Sequence, residues 1–237
     1  MLRLYIDLPL ALQQTLDLPP GPARHVQVRR LQPGDSLVLF NGRGGEWTAR
    51  VQAMGRQTVQ VQLQAHEPVV REMPVAVTVA VGMPANERMD WLVEKATELG
   101  VAVLQPLLCE RSVLRLDGER AQRKREHWRA QAVAAAEQSG RTCVPLVQPV
   151  RRLPDWLAAA GLPPTRWLLS PLAAQSLQAL RPPPRAPLVV LSGPEGGLAP
   201  AEEEASRAAG FAALHLGPRV LRAETAPLAV LAWLGLS

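Results

Sequence analysis

The sequence predicts an α/β protein in two parts: a small all-β part over residues 1–70 and a larger part over residues 74–237. Three observations predict it. Residues 1–70 carry short alternating runs separated by turn signals, with no long helical period. Pro68 and Pro74 bracket a linker over Glu67–Met73. From Val75 onward apolar runs alternate with helical patterns, which implies a parallel sheet covered on both faces.

In the first part, Leu2–Ile6 alternates loosely. Pro33-Gly34-Asp35 turns the chain into a strand at Ser36–Phe40. Asn41-Gly42-Arg43-Gly44-Gly45 forms a hairpin loop with a return strand at Trp47–Ala53. After a second turn at Gly55, Thr58–Leu63 alternates strictly, as a half-buried strand does. Short strands with regular turns suggest a small barrel.

In the second part, Val75–Val81 is a strand. Asn86 is placed to cap a helix whose stripe is Met89, Leu92, Val93, Ala96 and Leu99, closed by Gly100. Val101–Leu104 is the next strand. A long helix runs from Gly118 to Ser139, basic at first and alanine-rich later; its alanines suit close approach of another helix, within this chain or in a partner subunit. Strands follow at Leu146–Val150, Arg166–Leu169, Leu188–Leu191 and Ala212–Leu216. The last helix, Ala226–Leu236, is apolar nearly all round and must be buried, in the core or at a dimer interface.

Two stretches organise this part. Leu188–Leu191 empties into Ser192-Gly193-Pro194-Glu195-Gly196-Gly197, and Ala212–Leu216 empties into Gly217-Pro218-Arg219-Val220-Leu221-Arg222-Ala223-Glu224-Thr225-Ala226. Glycine-bearing loops at the carboxyl ends of strands make a ligand crevice. Pro200 opens the following helix, and Glu202, Glu203 and Glu204 load its first turn. Such acids repel a pyrophosphate, and the spacing matches neither a dinucleotide fingerprint nor a P-loop. A ligand without phosphate and with a positive centre fits better. S-adenosylmethionine, a sulfonium, has that character.

Four motifs in one order carry a family resemblance: Glu87-Arg88-Met89-Asp90 with Lys95–Val101, Ala136–Arg141, Gly193–Gly197, and Leu216–Ala226. The chain resembles the RsmE family over its whole length. The family comprises SPOUT-superfamily enzymes that methylate N3 of a uridine in small-subunit (16S) ribosomal RNA. The resemblance implies a trefoil-knotted parallel-sheet domain behind a PUA-like RNA-binding barrel. It implies S-adenosylmethionine as cofactor, with Ser170, Leu172, Leu191, Gly193, Glu195, Gly197, Leu216, Gly217, Val220, Leu221 and Ala226 binding it. It also implies a homodimer whose sites draw on two subunits. Ala223 departs from the family, which usually has Thr there.

The net charge of +5 comes almost wholly from arginine, for only Lys95 and Lys124 are lysine. Compositional bias toward Arg, Ala, Pro and Leu explains this as well as a polyanionic partner does, so clustering must decide. Arg24, His25, Arg29 and Arg30 fall within seven residues free of acid, and Arg43 tips the hairpin. Together with the resemblance, this favours an RNA-backbone contact over a merely solvated face. One Tyr and two Phe argue against an aromatic stacking platform. Cys109 and Cys143 lack metal-ligand spacing and read as reduced thiols of a cytosolic protein; no metal and no membrane span are expected.

Methylation at uridine N3 requires loss of its proton. Either a carboxylate takes that proton, or an arginine stabilises the charge left on the uracil oxygens. Arg222 is assigned to charge stabilisation and Glu224 to orienting it. Arg88 and Arg141 are alternatives reaching in from a second subunit. Three readings remain: uridine-N3 methylation, another SPOUT reaction such as ribose 2′-O methylation, and a non-catalytic RNA-binding or ribosome-assembly protein.

Overall fold

The structure, a computed structural model, describes residues 1–180 and 186–236. Ser237, the end of the expected second part, lies outside them. The chain divides into two compact units: Met1–Glu72 with Ala136–Val144, and the remainder.

The first unit contains β1 (Arg3–Tyr5), β2 (Thr15–Asp17), α1 (Pro20–Val28), β3 (Ser36–Phe40), β4 (Glu46–Met54) and β5 (Val59–Glu67). They form a five-stranded sheet in the order β1-β3-β4-β5-β2. β1 joins β3 parallel, and the other pairs are antiparallel. The strict alternation at the start of β5 does what its period dictates: Val59, Val61 and Leu63 are fully buried and Gln60 and Gln62 are not. They meet Leu4, Leu37, Leu39 and Val51 in one core, where each large aliphatic group contributes roughly 1.5–3 kcal/mol. Two register shifts between β4 and β5 bend this long hairpin. α1 buries Ala23 and Val26 on its inner face. Arg30 lies beyond its end at φ +59, so it does not share a helix face with Arg24 and Gln27.

Ion pairs fasten this unit. Glu46 accepts hydrogen bonds from both Arg3 and Arg71. Arg71 also donates to the carbonyl of Gly140 at 3.0 Å. Glu72 pairs with the buried Arg141 and accepts the backbone N–H groups of Thr142 and Cys143 at 3.2 and 3.1 Å. Arg141 is thereby paired with Glu72 within this unit.

The second unit contains β6 (Val77–Gly82), α2 (Asn86–Glu98), β7 (Val103–Leu108), α3 (Gly118–Ser139), β8 (Leu146–Val147), β9 (Arg151–Arg152) and α4 (Leu153–Leu157). β10 (Thr165–Leu169), β11 (Gln175–Ser176), β12 (Leu188–Ser192), α5 (Pro200–Ala208), β13 (Ala212–His215) and α6 (Thr225–Gly235) follow. The last turn of α3 belongs to the first unit. All pairings are parallel, in the order β11-β13-β10-β12-β6-β7-β8, with β9 on β7. β12 is buried at every position, as a central parallel strand between helical layers must be.

Several helix expectations are refined. Asn86 is the first residue of α2, and Ala85 occupies the cap position. The α2 stripe is buried at Met89, Leu92, Val93 and Ala96, and Gly100 closes the helix at φ +90. Trp128 on α3 is fully buried and donates its indole N–H to Asp90 at 2.9 Å. Ala132, Ala135 and Ala136 are already buried within this single chain, so that face does not await a partner. α6 likewise buries Pro227, Leu228, Val230, Leu231 and Leu234. Among the described residues, no helix is long and apolar enough to cross a membrane and no side-chain cluster suits a metal ion.

The hydrogen bond from Arg71, reinforced by Arg3 and opposed by burial, lowers the Glu46 carboxyl from 4.5 to about 2. A depressed carboxyl stabilises the fold above its unfolded value and loses that contribution as pH falls toward the folded value. Glu46→Gln should therefore destabilise the protein most above about pH 4.5, with the difference shrinking toward pH 2. Chemical denaturation of both proteins across this range reads the effect.

Candidate active site

The site begins with the levels at which three neighbouring strands stop. Leu169 in β10 is in register with Ser192 in β12 on one side and Leu214 in β13 on the other. Their carboxyl ends release three loops at one height. These loops enclose a cavity of about 480 Å³, within the usual range for a small-molecule site.

The β12 loop is the most constrained wall. The Gly197 N–H bonds to the Pro194 carbonyl at 2.8 Å, closing a tight turn. The glycines have different reasons. Gly197 has φ +68 with open space where a Cβ would stand, so it is needed for its backbone angle. At Gly193 a Cβ would lie 2.8 Å from the Leu198 nitrogen, so that residue is glycine because the loop folds onto itself. At Gly82, ending β6, a Cβ would lie 2.5 Å from the Pro194 ring, so β6 must end without a side chain for the loop to lie across it.

Glu195 latches the loop. Its Oε1 accepts the Ala85 N–H at 2.9 Å and lies 3.5 Å from Arg88 Nη1. A carboxylate at the amino end of α2 also faces the favourable end of the helix dipole. Arg88 thus lines the cavity from its own chain, without requiring a second subunit.

The acids of α5 divide their work. Glu202 accepts the backbone N–H groups of Glu110 at 2.8 Å and Ala199 at 3.0 Å. Glu204 is exposed. Only Glu203 lines the cavity, accepting the Ser170 hydroxyl at 3.3 Å. Buried Cys109 lies behind this wall; burial, aided by the charge of Glu202, pushes its thiol up to about 12. It is therefore protonated and chemically quiet at neutral pH.

Of the residues expected to hold the cofactor, Ser170, Gly193, Glu195, Gly197, Leu216, Gly217, Val220, Leu221 and Ala226 line this cavity. Two do not. Leu191 is fully buried in the core beneath the sheet end, and Leu172 is 92% exposed on the turn after β10, where Pro171 lines the wall instead. The sequence did not point to Leu169, Leu198 or Leu214, although their positions at strand ends and just before α5 were the signal that could have found them; Ser192 and Glu203, noted in the strand-end loop and the first turn of α5, also line the cavity.

Arg222 lines the cavity and is exposed, as is Arg219. Neither guanidinium makes a hydrogen bond or ion pair among the described residues, which leaves two free cations at the mouth. The Arg222 carbonyl accepts from Thr225 and Ala226 as α6 begins. Glu224 is 6% exposed and does not line the cavity. Its Oε2 is buried with no partner among the described residues, and no bond joins it to Arg222, so the expected pair is absent. An unmet buried acceptor costs roughly 1–3 kcal/mol.

The candidate RNA contacts lie in the first unit. Arg24, Arg29, Arg30 and Arg43 are exposed. His25 differs, lying 3.9 Å from Glu137. Gln27 donates to the carbonyls of Gly55 and Arg56 at 3.1 and 3.3 Å, which brings exposed Arg56 against α1. Arg56 joins the basic group through a contact that no local pattern announced. Arg43 stands apart on the β3–β4 hairpin.

Residues 71–235 match the RNA methyltransferase domain family, and residues 23–64 match the RNA methyltransferase PUA domain family. The chain is 33% identical over 210 residues to ribosomal RNA small subunit methyltransferase E of Bacillus subtilis, covering 86% of this chain and 82% of that one. It is 33% identical over 237 residues to the Synechocystis protein of the same name, covering 97% and 76%. A solved structure of ribosomal RNA small subunit methyltransferase E from Neisseria gonorrhoeae, bound to S-adenosyl methionine, aligns at a TM-score of 0.92 and 34% identity. It covers 100% of this chain and 97% of that one. The Legionella pneumophila protein Lpg2936, a putative methyltransferase solved with bound cofactor SAM, aligns at 0.93 and 32%, covering 99% and 97%. The fold and loop arrangement are thus those of an RNA methyltransferase domain accompanied by a PUA domain. The chain belongs to the ribosomal RNA small subunit methyltransferase E family, as the four sequence motifs imply.

Because Gly197 is held by its angle and not by crowding, asparagine should be tolerated there and valine should not. Gly197→Val should cost about 1–2 kcal/mol of stability, and Gly197→Asn clearly less. Denaturant titration distinguishes them; equal losses would return the position to a steric explanation.

Proposed function

We propose that this protein transfers a methyl group from S-adenosylmethionine to N3 of a uridine in small-subunit ribosomal RNA. The observation that carries the reading is the cavity at three level strand ends, lined by a self-closed glycine loop. It is supported by the S-adenosylmethionine-bound relatives. Glu195 and Glu203 on the wall suit a ligand with a positive centre, and an anionic phosphate beside Glu203 would be repelled. S-adenosylmethionine, when bound, supplies an electrophilic methyl group on sulfonium and leaves as S-adenosylhomocysteine.

The residues then take these roles. The glycine loop, Ser170 and the Leu216–Leu221 loop hold the cofactor. Arg222 at the mouth stabilises the negative charge spread over the uracil oxygens once the N3 proton is lost. Glu224, with an oxygen lacking a donor, receives Arg222 when RNA fills the mouth. Arg24, Arg29, Arg30 and Arg43, with Arg56, hold RNA phosphates, and His25 lies at the edge of this group. In this reading residues 1–70 supply RNA affinity and residues 74–237 the chemistry.

The partner is small-subunit rRNA or the assembled 30S subunit, and the place is the cytoplasm. A homodimer is part of the reading. Its support is that Trp91, Leu172, Val220 and Leu236 are each exposed large apolar side chains, whereas the alanine face is buried. Sedimentation that finds only monomer at micromolar concentration removes that part.

The test is to incubate the protein with labelled S-adenosylmethionine and small subunits lacking the modification, then to digest the RNA to nucleosides. Label in 3-methyluridine is expected. Label in a 2′-O-methylated nucleoside, or none, overturns the reading. In the same assay Arg222→Ala should lower turnover about a hundredfold with little change in cofactor affinity. Replacing Arg24, Arg29 and Arg30 with Ala should instead weaken RNA binding. Its log–log salt dependence should flatten by roughly 0.7–0.9 for each phosphate that is no longer neutralised.

A further inference from the structure

The β12 loop has a second holder that is not itself among the residues lining the cavity. After β7 the chain runs through Cys109, Glu110, Arg111 and Ser112. The Ser112 hydroxyl accepts the Cys109 N–H at 3.0 Å, and the Ser112 N–H returns to the Cys109 carbonyl at 3.1 Å. This small knuckle fixes the direction in which Arg111 leaves the backbone. From there Arg111 Nη1 donates to the carbonyls of Gly196 at 3.1 Å and Leu198 at 3.3 Å. Its stem lies flat on the loop: a Cβ on Gly196 would stand 3.2 Å from the Arg111 Cβ and 3.5 Å from its Cδ. One residue earlier, the Glu110 N–H donates to Glu202 at the start of α5. The knuckle therefore grips the loop and the helix that follows it.

We propose that Arg111 is a positioning residue for the cofactor, acting through the Gly193–Leu198 loop. The proposal rests on reading this cavity as the S-adenosylmethionine site. The physical need is plain. Three glycines within five residues leave the loop many conformations to lose on ordering. Gly197 must be held at φ +68; Gly196 supplies the carbonyl of the peptide that enters it, and Leu198 the carbonyl of the second peptide after it. Drawing both carbonyls onto one cationic nitrogen, whose side chain does not line the cavity, restrains the peptides before and after the Gly197-Leu198 pair. Charge-assisted bonds of this kind are the stronger sort, and a loop fixed before binding carries no ordering cost at binding. Arg111 itself is exposed, so its loss should leave the unliganded fold nearly as stable as before.

The experiment is calorimetric titration of the full-length protein with S-adenosylhomocysteine, alongside thermal melting without ligand and steady-state kinetics. Arg111→Ala should weaken binding about tenfold or more, the scale of one or two charge-assisted bonds. The KM for S-adenosylmethionine should rise by a similar factor, with the KM for RNA and the unliganded melting temperature nearly unchanged. Arg111→Lys, which keeps one charged donor, should recover part of the affinity. Gly196→Ala, whose methyl would displace the arginine stem, should weaken binding too, and the double variant should be no worse than the weaker single one. Wild-type affinity in Arg111→Ala, or additive losses in the double variant, overturns the proposal. A melting loss large enough to account for the weaker binding overturns it as well. If the wild-type protein itself gives no heat with S-adenosylhomocysteine, the reading of the cavity has failed first, which separates the two claims.

Discussion

The site depends on one close approach: Pro194 lies across the end of β6, where Gly82 leaves no room for a side chain. β6 and β12 are adjacent and parallel, paired in register along their length, so their ends cannot drift apart. With Pro194 seated there, the rest of the loop has little freedom. It turns back through the Gly197–Pro194 hydrogen bond, and Glu195 reaches the amino end of α2. The acids of α5 follow at fixed positions, one bound to backbone N–H groups and one left facing the cavity. A single methyl group at residue 82 would collide with the proline and, at 3.0 Å, with the Cys109 sulfur. The parallel sheet supplies the rigidity, and the missing Cβ supplies the shape.

The charges are sorted accordingly. Arginines with structural tasks are paired: Arg3 and Arg71 on Glu46, Arg141 on Glu72, and Arg166 on the carbonyls of Pro163 and Ala209. Arg219 and Arg222 at the cavity mouth, and Arg24, Arg29 and Arg30 on the first unit, are exposed. Net charge could not separate these groups, since it counts a buried Arg141 and a free Arg222 alike. Pairing separates them, and it turns a bland excess of arginine into two places where an anion is welcome. It also separates two residues: Arg88 lines the cavity of its own chain, and Glu224 holds an unmet acceptor and no arginine.

What was legible in the sequence follows from where information is local. An apolar run breaking into Gly-Pro-Glu-Gly-Gly can only be a buried strand and its loop, so the central wall was readable, as was the helix at Gly118–Ser139. Strands β2, β9 and β11, two or three residues long, carry no period to read. Leu191 was misplaced because β12 is buried on both faces, which erases the alternation that would tell a cavity-facing residue from a core one. Arg56 was invisible because its neighbour Gln27 is 29 residues away. The different reasons for Gly193 and Gly197 are likewise three-dimensional facts, one steric and one conformational.

In the proposed reading the cofactor sits in the cavity at the ends of β10, β12 and β13, against a loop already in its binding shape. The most direct measurement is an amide chemical-shift map of the full-length protein titrated with S-adenosylhomocysteine. Shifts are expected to concentrate at Ser170, at Gly193 through Leu198 and at Leu216 through Leu221. Exchange protection of the Gly197 amide is expected before ligand is added. Shifts centred in residues 1–70, or a Gly197 amide that becomes protected only on binding, would contradict it.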